Sequence, residues 1–176
     1  MNKEKIKNII KELYPYVVIV IIVVLFRTFI ATPVRVDGSS MDSTLKNGDI
    51  LILNKLDQNY KRFDVVVVNV TIDGKKSKLV KRIIGLPKEN IEYKDNELYI
   101  NGKKINDVSL ERTNDFALKE LYNLEQIPEN YYFVMGDNRN GSRDSRDYTV
   151  GLIKKDSIVG TTTIRLFPLN KIGKFE

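Results

Sequence analysis

An apolar stretch near the N-terminus constrains this chain more than any other feature. Tyr14 to Phe26 contains no charged residue, and after Arg27 the apolar character resumes as far as Thr32. As a helix, the 19 residues from Tyr14 to Thr32 would be about 28 Å long, close to the roughly 30 Å hydrocarbon core of a bilayer. We therefore expect residues 14–32 to form one transmembrane helix.

Two other interpretations of this stretch are a buried core segment and a cleavable export signal. Four lysines precede it: Lys3, Lys5, Lys7 and Lys11. Such a basic flank is typical of the cytoplasmic end of a membrane span. A cleavable signal needs small residues at positions −3 and −1, but a cut after Ala31 would place Phe29 at −3, and a cut after Thr32 would place Pro33 at +1. We expect a retained single-pass anchor in the cell membrane, with residues 1–13 cytoplasmic and residues 33–176 extracytoplasmic.

The remainder of the chain has the pattern of a mostly β domain. Apolar residues make up 42% of the sequence and charged residues 30%, which is compatible with a packed core. Short runs with strand character cover residues 34–36, 50–54, 65–71, 79–84, 97–100, 131–135 and 161–166. Asn101-Gly102 indicates a tight hairpin. We expect an antiparallel β-sheet domain, with a small inserted subdomain at about residues 88–130 that contains one helix over residues 116–124.

The sequence contains no cysteine and no histidine. This excludes disulfides, Cys/His zinc sites, cysteine nucleophiles and every histidine-based catalytic triad. A serine hydrolase of this composition would have to use another base, such as a lysine kept neutral by burial. The net charge of +6 is scattered and has no interleaved aromatic platform, so we expect no nucleic-acid partner.

Lys81 is a candidate for such a base. The two-residue period of a strand places Leu79, Lys81 and Ile83 on one face, so Lys81 would be a lysine among apolar side chains. Desolvation disfavours its ammonium form and can bring a lysine pKa to about 7–8. The alternative is that the strand edge is solvated and Lys81 is an ordinary edge charge.

Two loops could supply the other groups of a site. In the first, Ser39 and Ser40 follow Gly38 after a short strand, where a hydroxyl and a backbone amide can face one carbonyl, although serine and glycine are also common in plain turns. In the second, residues 135–146, Asp, Asn, Arg and Ser alternate and can form a charge-assisted network. A calcium-binding or merely solvated loop is the alternative there, but the arginines disfavour calcium.

Taken in order, these segments resemble the motifs of type I signal peptidases. The segments are Gly38-Ser39-Ser40-Met41-Asp42-Ser43-Thr44-Leu45, Gly48-Asp49-Ile50, Lys81-Arg82-Ile83-Ile84-Gly85-Leu86-Pro87, Gly136-Asp137-Asn138-Arg139 and Asp144-Ser145-Arg146. The resemblance covers nearly the whole chain, and the single anchor and short insertion are similar to the compact Gram-positive form.

The resemblance implies a membrane-anchored serine endopeptidase that removes signal peptides from exported preproteins through an acyl-enzyme. Ser40 matches the nucleophile, Lys81 the general base and Ser142 the hydroxyl that orients the lysine amine. Gly38 stands where some relatives place an oxyanion-hole serine, so the oxyanion would depend on backbone amides, chiefly that of Ser40. Met41 is expected at the substrate.

The resemblance also implies supporting residues and partners. Asp137 and Arg82 match an ion pair that fixes the active-site loop against the lysine strand, and Asp144 with Arg146 matches a second pair. Leu79 is expected to contact the substrate, whose cleavage site would have small residues at −1 and −3. The expected partners are preproteins, the lipid bilayer and the translocation machinery, and no metal or cofactor is expected.

Three departures from the family pattern leave a second function open. Ser43 stands where the family usually has proline, Phe63 where it has glycine, and Asn140-Gly141 where it has Asp-Asn. A catalytically weak or silent relative that acts as a binding or scaffold subunit at the translocation machinery is the alternative. A self-cleaving Ser/Lys repressor would instead need a DNA-binding domain, which is not visible in the sequence.

Overall fold

The structure is a computed structural model that describes residues 3–29 and 31–175. It begins with the helix α1 (Lys3–Phe29), which contains Pro15. Eight of the nine residues from Val17 to Leu25, all apolar, are between 50% and 60% exposed. Among the described residues, no helix is found that is both long and apolar enough to cross a membrane. The predicted span, residues 14–32, extends past α1. Residue 30 lies outside the described residues, and Ala31 and Thr32 belong to β1 and pair with β2, so the prediction was wrong for these last two residues. The transmembrane anchor itself stays a prediction.

The remaining elements within the described ranges are twelve strands, one further α-helix and two one-turn 3₁₀ helices (Lys155–Ser157 and Leu169–Lys171). Their bounds are β1 (Ala31–Arg35), β2 (Ile50–Asn54), β3 (Val65–Ile72), β4 (Lys75–Gly85), β5 (Ile91–Lys94), β6 (Glu97–Ile100), β7 (Lys103–Ile105), β8 (Phe116–Ala117), α2 (Leu118–Tyr122), β9 (Tyr131–Met135), β10 (Ile153–Lys154), β11 (Ile158–Phe167) and β12 (Gly173–Lys174). All strand pairings are antiparallel within this part of the chain. The mostly β, antiparallel fold class is therefore confirmed.

The larger sheet has eight strands, and it places β4 near its middle. The strand order is β1-β2-β11-β3-β4-β9-β10, and β12 pairs with β11. β3 and β4 pair along their whole length, from Val65 opposite Arg82 to Ile72 opposite Lys75. β9 pairs with β4 only from Arg82 to Gly85. Within the described residues, the segment of β4 from Lys75 to Lys81 therefore has a strand partner on one side only.

The smaller sheet has four strands, in the order β7-β6-β5-β8. The turn between β6 and β7 has positive φ at Asn101 (51°) and Gly102 (74°), as a type I′ hairpin turn requires. The helix expected over residues 116–124 is shorter. Phe116 and Ala117 form β8 and pair with β5, because the Phe116 ring packs on Phe133 and on a tyrosine of β5. The helix ends at Asn123, whose φ is 55°.

Three apolar clusters hold the two sheets and the loops in place. The first lies between the sheets and includes Ile84, Phe116 and Phe133. The second covers one face of the larger sheet, and Val66 and Ile83 belong to it. The third packs the segment after β1 against the opposite face of the sheet. Its buried members are Val36, Met41, Leu45, Leu51 and Val65.

Candidate active site

Lys81 is buried in the middle of the larger sheet. Its side chain is 1% exposed, and it lies opposite Val66 of β3. Residues two positions away along β4, Leu79 and Ile83, face the same side and belong to the second apolar cluster. The expectation of a lysine on an apolar face is therefore confirmed, and the alternative of a solvated edge charge is wrong.

Ser40 lies in a turn whose apolar side chains anchor it to the core. The N–H of Asp42 donates to the Ser39 carbonyl over 3.0 Å, and that of Leu45 donates to the Met41 carbonyl over 2.6 Å. Met41 is 1% exposed and Leu45 is fully buried. This anchoring leaves Ser40 partly exposed at the surface of the domain.

The side chains of Ser40 and Lys81 are in direct contact. Lys81 Nζ lies 2.6 Å from Ser40 Oγ, a hydrogen-bond distance. Burial lowers the pKa of the Lys81 ammonium from 10.5 to about 8, with the nearby carboxylates of Asp144 and Asp137 raising it and Arg146 lowering it. An amine that loses its proton near pH 8 and touches a hydroxyl can remove the proton of that hydroxyl.

The predicted pair of Arg82 and Asp137 is present and buried. Arg82 Nε donates to Asp137 Oδ1 over 2.8 Å, and Arg82 Nη2 donates to Oδ2 over 2.7 Å. This two-bond geometry is the strong form of an arginine–carboxylate contact. The side chains are 4% and 1% exposed. The pair joins β4 to the loop that follows β9.

Thr44, which was not among the predicted site residues, links this ion pair to the turn that carries Ser40. Its hydroxyl donates to Asp137 Oδ2 over 2.6 Å and accepts from Arg82 Nη2 over 3.3 Å. Its carbonyl accepts a hydrogen bond from Arg165 of β11 over 2.7 Å. Thr44 is within the segment that resembles the family motif, so its position in that motif was the available signal.

The second predicted pair, Asp144 with Arg146, is also present. Arg146 Nη2 lies 2.9 Å from Asp144 Oδ2, and the same carboxylate accepts from the N–H of Gly136 over 2.9 Å. Burial opposes the charged form of Asp144, but the hydrogen bond and charge of Arg146 and the Gly136 N–H outweigh it and lower the pKa of this carboxyl. Asp144 is thus a fixed negative charge near Lys81.

Ser142 lies in the site but does not make the predicted contact with the lysine amine. Within the described residues its hydroxyl is buried and makes no hydrogen bond of normal geometry, although it lies close enough to the Asp144 carboxylate to help lower the pKa of that group. The hydroxyl sits against Gly136, where an added Cβ would lie 2.2 Å from Ser142 Oγ and 2.3 Å from the Ser40 carbonyl oxygen. This close approach explains why residue 136 is glycine, and it brings Ser142 and Ser40 to the same point of the backbone.

Of three other predicted residues, Gly38 and Leu79 lie near the site, and Met41 lies in the core. Gly38 has φ +92° with open space around its Cβ position, so the family's serine would fit here in volume but with backbone strain. Leu79 is partly buried on the Lys81 face. The Met41 side chain belongs to the core, and this placement supports a packing role for it, not contact with a substrate.

The departures from the family pattern lie around the site without removing either central side chain. Phe63 has φ +71°, a conformation that is rare for a bulky residue, and its carbonyl accepts from Arg82 Nη1 over 2.9 Å. Gly141 donates its N–H to Asn138 Oδ1 over 2.9 Å. Ser43 is exposed.

A cavity lies beside the hairpin that joins β3 and β4. Its volume is about 670 Å³. The residues that line it are Asn69, Val70, Thr71, Lys76, Ser77, Lys78, Val150, Leu152, Ile153, Lys154 and Ser157. Neither Ser40 nor Lys81 lines it, so the contact between these two side chains lies outside this cavity.

Three known bacterial proteins are similar in sequence to this chain over most of its length. Signal peptidase I P of Bacillus subtilis subsp. natto is 40% identical over 180 residues, which cover 97% of this chain and 96% of that protein. Signal peptidase I of Bacillus licheniformis is 39% identical over 189 residues, with 100% of both chains covered. Signal peptidase I T of Bacillus subtilis strain 168 is 42% identical over 168 residues, with 89% and 84% covered.

A solved structure and a family match extend the likeness to the fold. The crystal structure of a signal peptidase I from Enterococcus faecalis V583 is 35% identical and has a TM-score of 0.51, with 58% of this chain and 96% of that chain covered. The family described as "Signal peptidase, peptidase S26" matches residues 7–167. This match covers far more than half of the chain and includes Ser40, Lys81 and Ser142. The chain therefore belongs to the signal peptidase family, peptidase S26.

Proposed function

We propose that Ser40 and Lys81 are the nucleophile and the general base with which this serine endopeptidase cleaves signal peptides from exported preproteins. The observation that carries the proposal is the 2.6 Å contact between Lys81 Nζ and Ser40 Oγ, made by a lysine that is 1% exposed. Burial supplies what the missing histidine would supply, since it makes the neutral base accessible at moderate pH.

The reaction proceeds in two stages that share one base. Neutral Lys81 accepts the proton of the Ser40 hydroxyl while Ser40 Oγ attacks the scissile carbonyl carbon. The tetrahedral oxyanion collapses, the leaving amine takes the proton from the Lys81 ammonium, and an acyl-enzyme on Ser40 remains. Lys81, neutral again, takes a proton from a water molecule whose oxygen attacks the ester carbonyl. The bond from the carbonyl carbon to Ser40 Oγ then breaks, the Lys81 ammonium returns the proton to Ser40 Oγ, and the signal peptide leaves as a carboxylic acid that ionises in water.

The oxyanion is assigned to the backbone of the serine turn. Gly38 carries no side chain that could donate a hydrogen bond, so the donor nearest to the developing charge is the N–H of Ser40 itself. In the described part of the chain, this N–H makes no hydrogen bond to another group. A free amide at the nucleophile is suited to binding an oxyanion.

The substrate is proposed to bind as an added strand. The segment of β4 from Lys75 to Lys81 pairs on one side with β3, and on its other side no pairing is found among the described residues. An extended peptide can add to such an edge through its main chain, and alternate side chains then enter shallow pockets. The pockets for the −1 and −3 residues are proposed to lie beside Leu79 and Lys81 and to admit small side chains.

The two ion pairs are proposed as supports of this chemistry. The pair of Arg82 and Asp137 ties the loop after β9 to the strand that carries Lys81. The second pair places one opposite charge, Asp144, and one like charge, Arg146, near the Lys81 amine. We propose Ser142 as a positioning residue through its contact with Gly136.

We also propose that α1 anchors the enzyme in the cell membrane, with residues 1–13 cytoplasmic, the part of α1 from Tyr14 to Phe29 in the bilayer and the domain from β1 onwards extracytoplasmic. Support comes from the apolar side chains of α1 that face outward from Val17 to Leu25, and from the lysines that precede them. This topology would bring Ser40 close to the outer face of the membrane, where the preprotein, the lipid and the translocation machinery meet.

The dyad is tested with a preprotein that has an Ala-x-Ala cleavage site and the purified full-length chain. Ser40→Ala should abolish cleavage and leave the thermal unfolding midpoint close to that of the wild type. Ser39→Ala is the matched control, because it removes an adjacent hydroxyl from the same turn. Near-full turnover by Ser40→Ala would refute the dyad, and an inactive wild type would favour the scaffold alternative.

The topology is tested separately with protease added to intact protoplasts. Residues beyond Thr32 should be digested, and the N-terminal residues should be protected and uncleaved in untreated cells. Recovery of a mature form that begins near Thr32 would refute the anchor without bearing on the dyad.

A further inference from the structure

Asn138 binds the backbone on both sides of Ser40. Its N–H donates to the Ser40 carbonyl over 3.1 Å, and its side-chain Nδ2 donates to the Ser39 carbonyl over 3.0 Å. The two carbonyls belong to the peptide groups that precede and follow the Ser40 side chain. One residue of the loop after β9 therefore fixes both peptide planes that flank the nucleophile.

The orientation of the first plane decides where the proposed oxyanion donor points. The Ser39 carbonyl and the Ser40 N–H belong to one planar trans peptide group, in which they point in opposite directions. A hydrogen bond that holds the Ser39 oxygen consequently holds the direction of the Ser40 N–H. Asn138 acts on the donor without touching the oxyanion.

The direction of the Asn138 amide is itself fixed. The N–H of Gly141 donates to Asn138 Oδ1 over 2.9 Å, so the oxygen faces Gly141 and the NH₂ group faces Ser39. A Cβ at position 141 would lie 2.6 Å from Asn138 Nδ2. Glycine at this position, one of the departures from the family pattern, makes the space that the Asn138 side chain occupies.

A second group also holds the Ser39 carbonyl, and this limits the expected effect. The N–H of Asp42 donates to the same oxygen over 3.0 Å, as part of the turn. Removal of the Asn138 amide would loosen the Ser39–Ser40 peptide plane but would not release it. The loss should therefore be smaller than the roughly 10²- to 10³-fold loss of kcat that follows deletion of an oxyanion donor.

We propose that Asn138 is a positioning residue that aims the Ser40 N–H at the oxyanion. The proposal rests on the proposed role of Ser40 as nucleophile. Asn138 is hydrogen-bonded to Ser39, Ser40 and Gly141 and makes no contact with Lys81 among the described hydrogen bonds. Its loss should accordingly weaken transition-state binding and leave the titration of the base unchanged.

The first test measures cleavage kinetics of Asn138→Ala in the full-length chain. We expect kcat to fall about tenfold, with KM within about twofold of wild type. The reason is that the hydrogen bond from the Ser40 N–H to the substrate gains strength only when charge develops on the scissile carbonyl oxygen. The pH midpoint of kcat should not move. A loop that had merely become disordered would move it, since the pKa of Lys81 depends first on its burial and then on the charges of Asp144, Arg146 and Asp137 in the same loop.

Asn90→Ala is the matched control. Asn90 also donates its side-chain NH₂ group to a backbone carbonyl, that of Glu125, over 2.9 Å at an exposed position. This substitution removes the same kind of hydrogen bond from the smaller sheet, away from Ser40. Its kcat should equal that of the wild type.

The second test compares two inhibitors that share one peptide sequence. A peptide aldehyde adds the Ser40 oxygen to its carbonyl carbon and forms a tetrahedral adduct with a new oxyanion, whereas a non-cleavable substrate analogue forms no adduct. Asn138→Ala should weaken binding of the aldehyde about tenfold and leave binding of the analogue unchanged. Equal weakening of both would show that Asn138 only shapes the substrate groove and would overturn the proposal.

Gly141→Ala provides an independent variant that keeps Asn138. The added methyl group crowds the Asn138 side chain and should reproduce the selective loss of kcat and of aldehyde affinity. Wild-type kcat in both Asn138→Ala and Gly141→Ala would refute the positioning role, even while an inactive Ser40→Ala upheld the dyad. Activity in Ser40→Ala would instead refute the dyad itself.

Discussion

Lys81 and Arg82 are neighbours in β4, yet their side chains lie on opposite faces of the sheet and have opposite electrostatic surroundings. Arg82 forms a two-bond ion pair with a buried carboxylate. Lys81 faces an apolar cluster and the Ser40 hydroxyl, and no salt bridge to it is found among the described residues. The alternation of the strand thus separates a structural cation from a base that can lose its proton.

The pH dependence of cleavage should report this base. Burial lowers the pKa of Lys81 to about 8, and only the neutral amine accepts the Ser40 proton, so kcat should rise with pH through a midpoint near 8. Lys81→Arg should be inactive at every pH, because a guanidinium stays protonated. Measurable turnover by Lys81→Arg would show that position 81 contributes only charge.

The stability of the chain should depend on the same group. The pKa of Lys81 is lower in the folded protein, about 8, than its ordinary value of 10.5, so the unfolded chain binds more protons between these two values. The free energy of unfolding of the wild type should rise with pH across this window. Relative to wild type, Lys81→Met should be more stable below pH 8, and this advantage should shrink towards pH 10.5. Thermal or denaturant unfolding across the window measures the difference, and a constant difference would contradict the lowered pKa.

Thr44 should matter through its hydroxyl. Thr44→Val keeps the shape but removes the donor to Asp137 and the acceptor for Arg82, which should lower the free energy of unfolding by about 1–3 kcal/mol and reduce kcat. Thr44→Ser keeps the hydroxyl and should retain most of both. Denaturant unfolding and cleavage assays of the two variants give the comparison, and equal behaviour would show that only the volume of the side chain counts.

Phe63 should reveal backbone strain. Its φ of 71° costs a residue with a Cβ about 1–2 kcal/mol, whereas glycine adopts it freely. Phe63→Ala and Phe63→Gly both lose the ring, but only the alanine variant retains the strain. The glycine variant should therefore unfold at the higher temperature, contrary to the usual order of the two residues. The usual order would exclude strain at this position.

Ser43→Pro restores the residue that the family usually has. Among the described residues no hydrogen bond from the Ser43 N–H is found, so proline removes none. Restriction of the unfolded chain should stabilise the protein by about 0.4–1 kcal/mol, with cleavage activity equal or higher. Ser43→Ala is the control, since it removes the hydroxyl without restricting the backbone. Loss of activity in the proline variant alone would show that the turn needs its present flexibility.

Local sequence determined most strands of the larger sheet and the chemical classes available to this protein. Alternation along β4 was sufficient to place Lys81 with Leu79 and Ile83, because the two-residue period of a strand does not depend on the rest of the fold. The absence of histidine and cysteine restricted a serine hydrolase to a lysine base. The order of the motif segments sufficed to indicate the family.

The tertiary structure decided what depends on distant residues. Lys81 loses its water only because β3, the second apolar cluster and the turn that carries Ser40 pack around it, and it meets Ser40 across 41 positions of sequence. Residues 116 and 117 extend into a strand instead of a helix because a partner strand and a stack of aromatic rings outweigh a weak local preference. Met41 lies in the core, Thr44 joins the two loops, and Asn138 binds the Ser40 backbone. Each of these placements is set by packing between segments that no local pattern relates, and the chemistry of Ser40 depends on that packing.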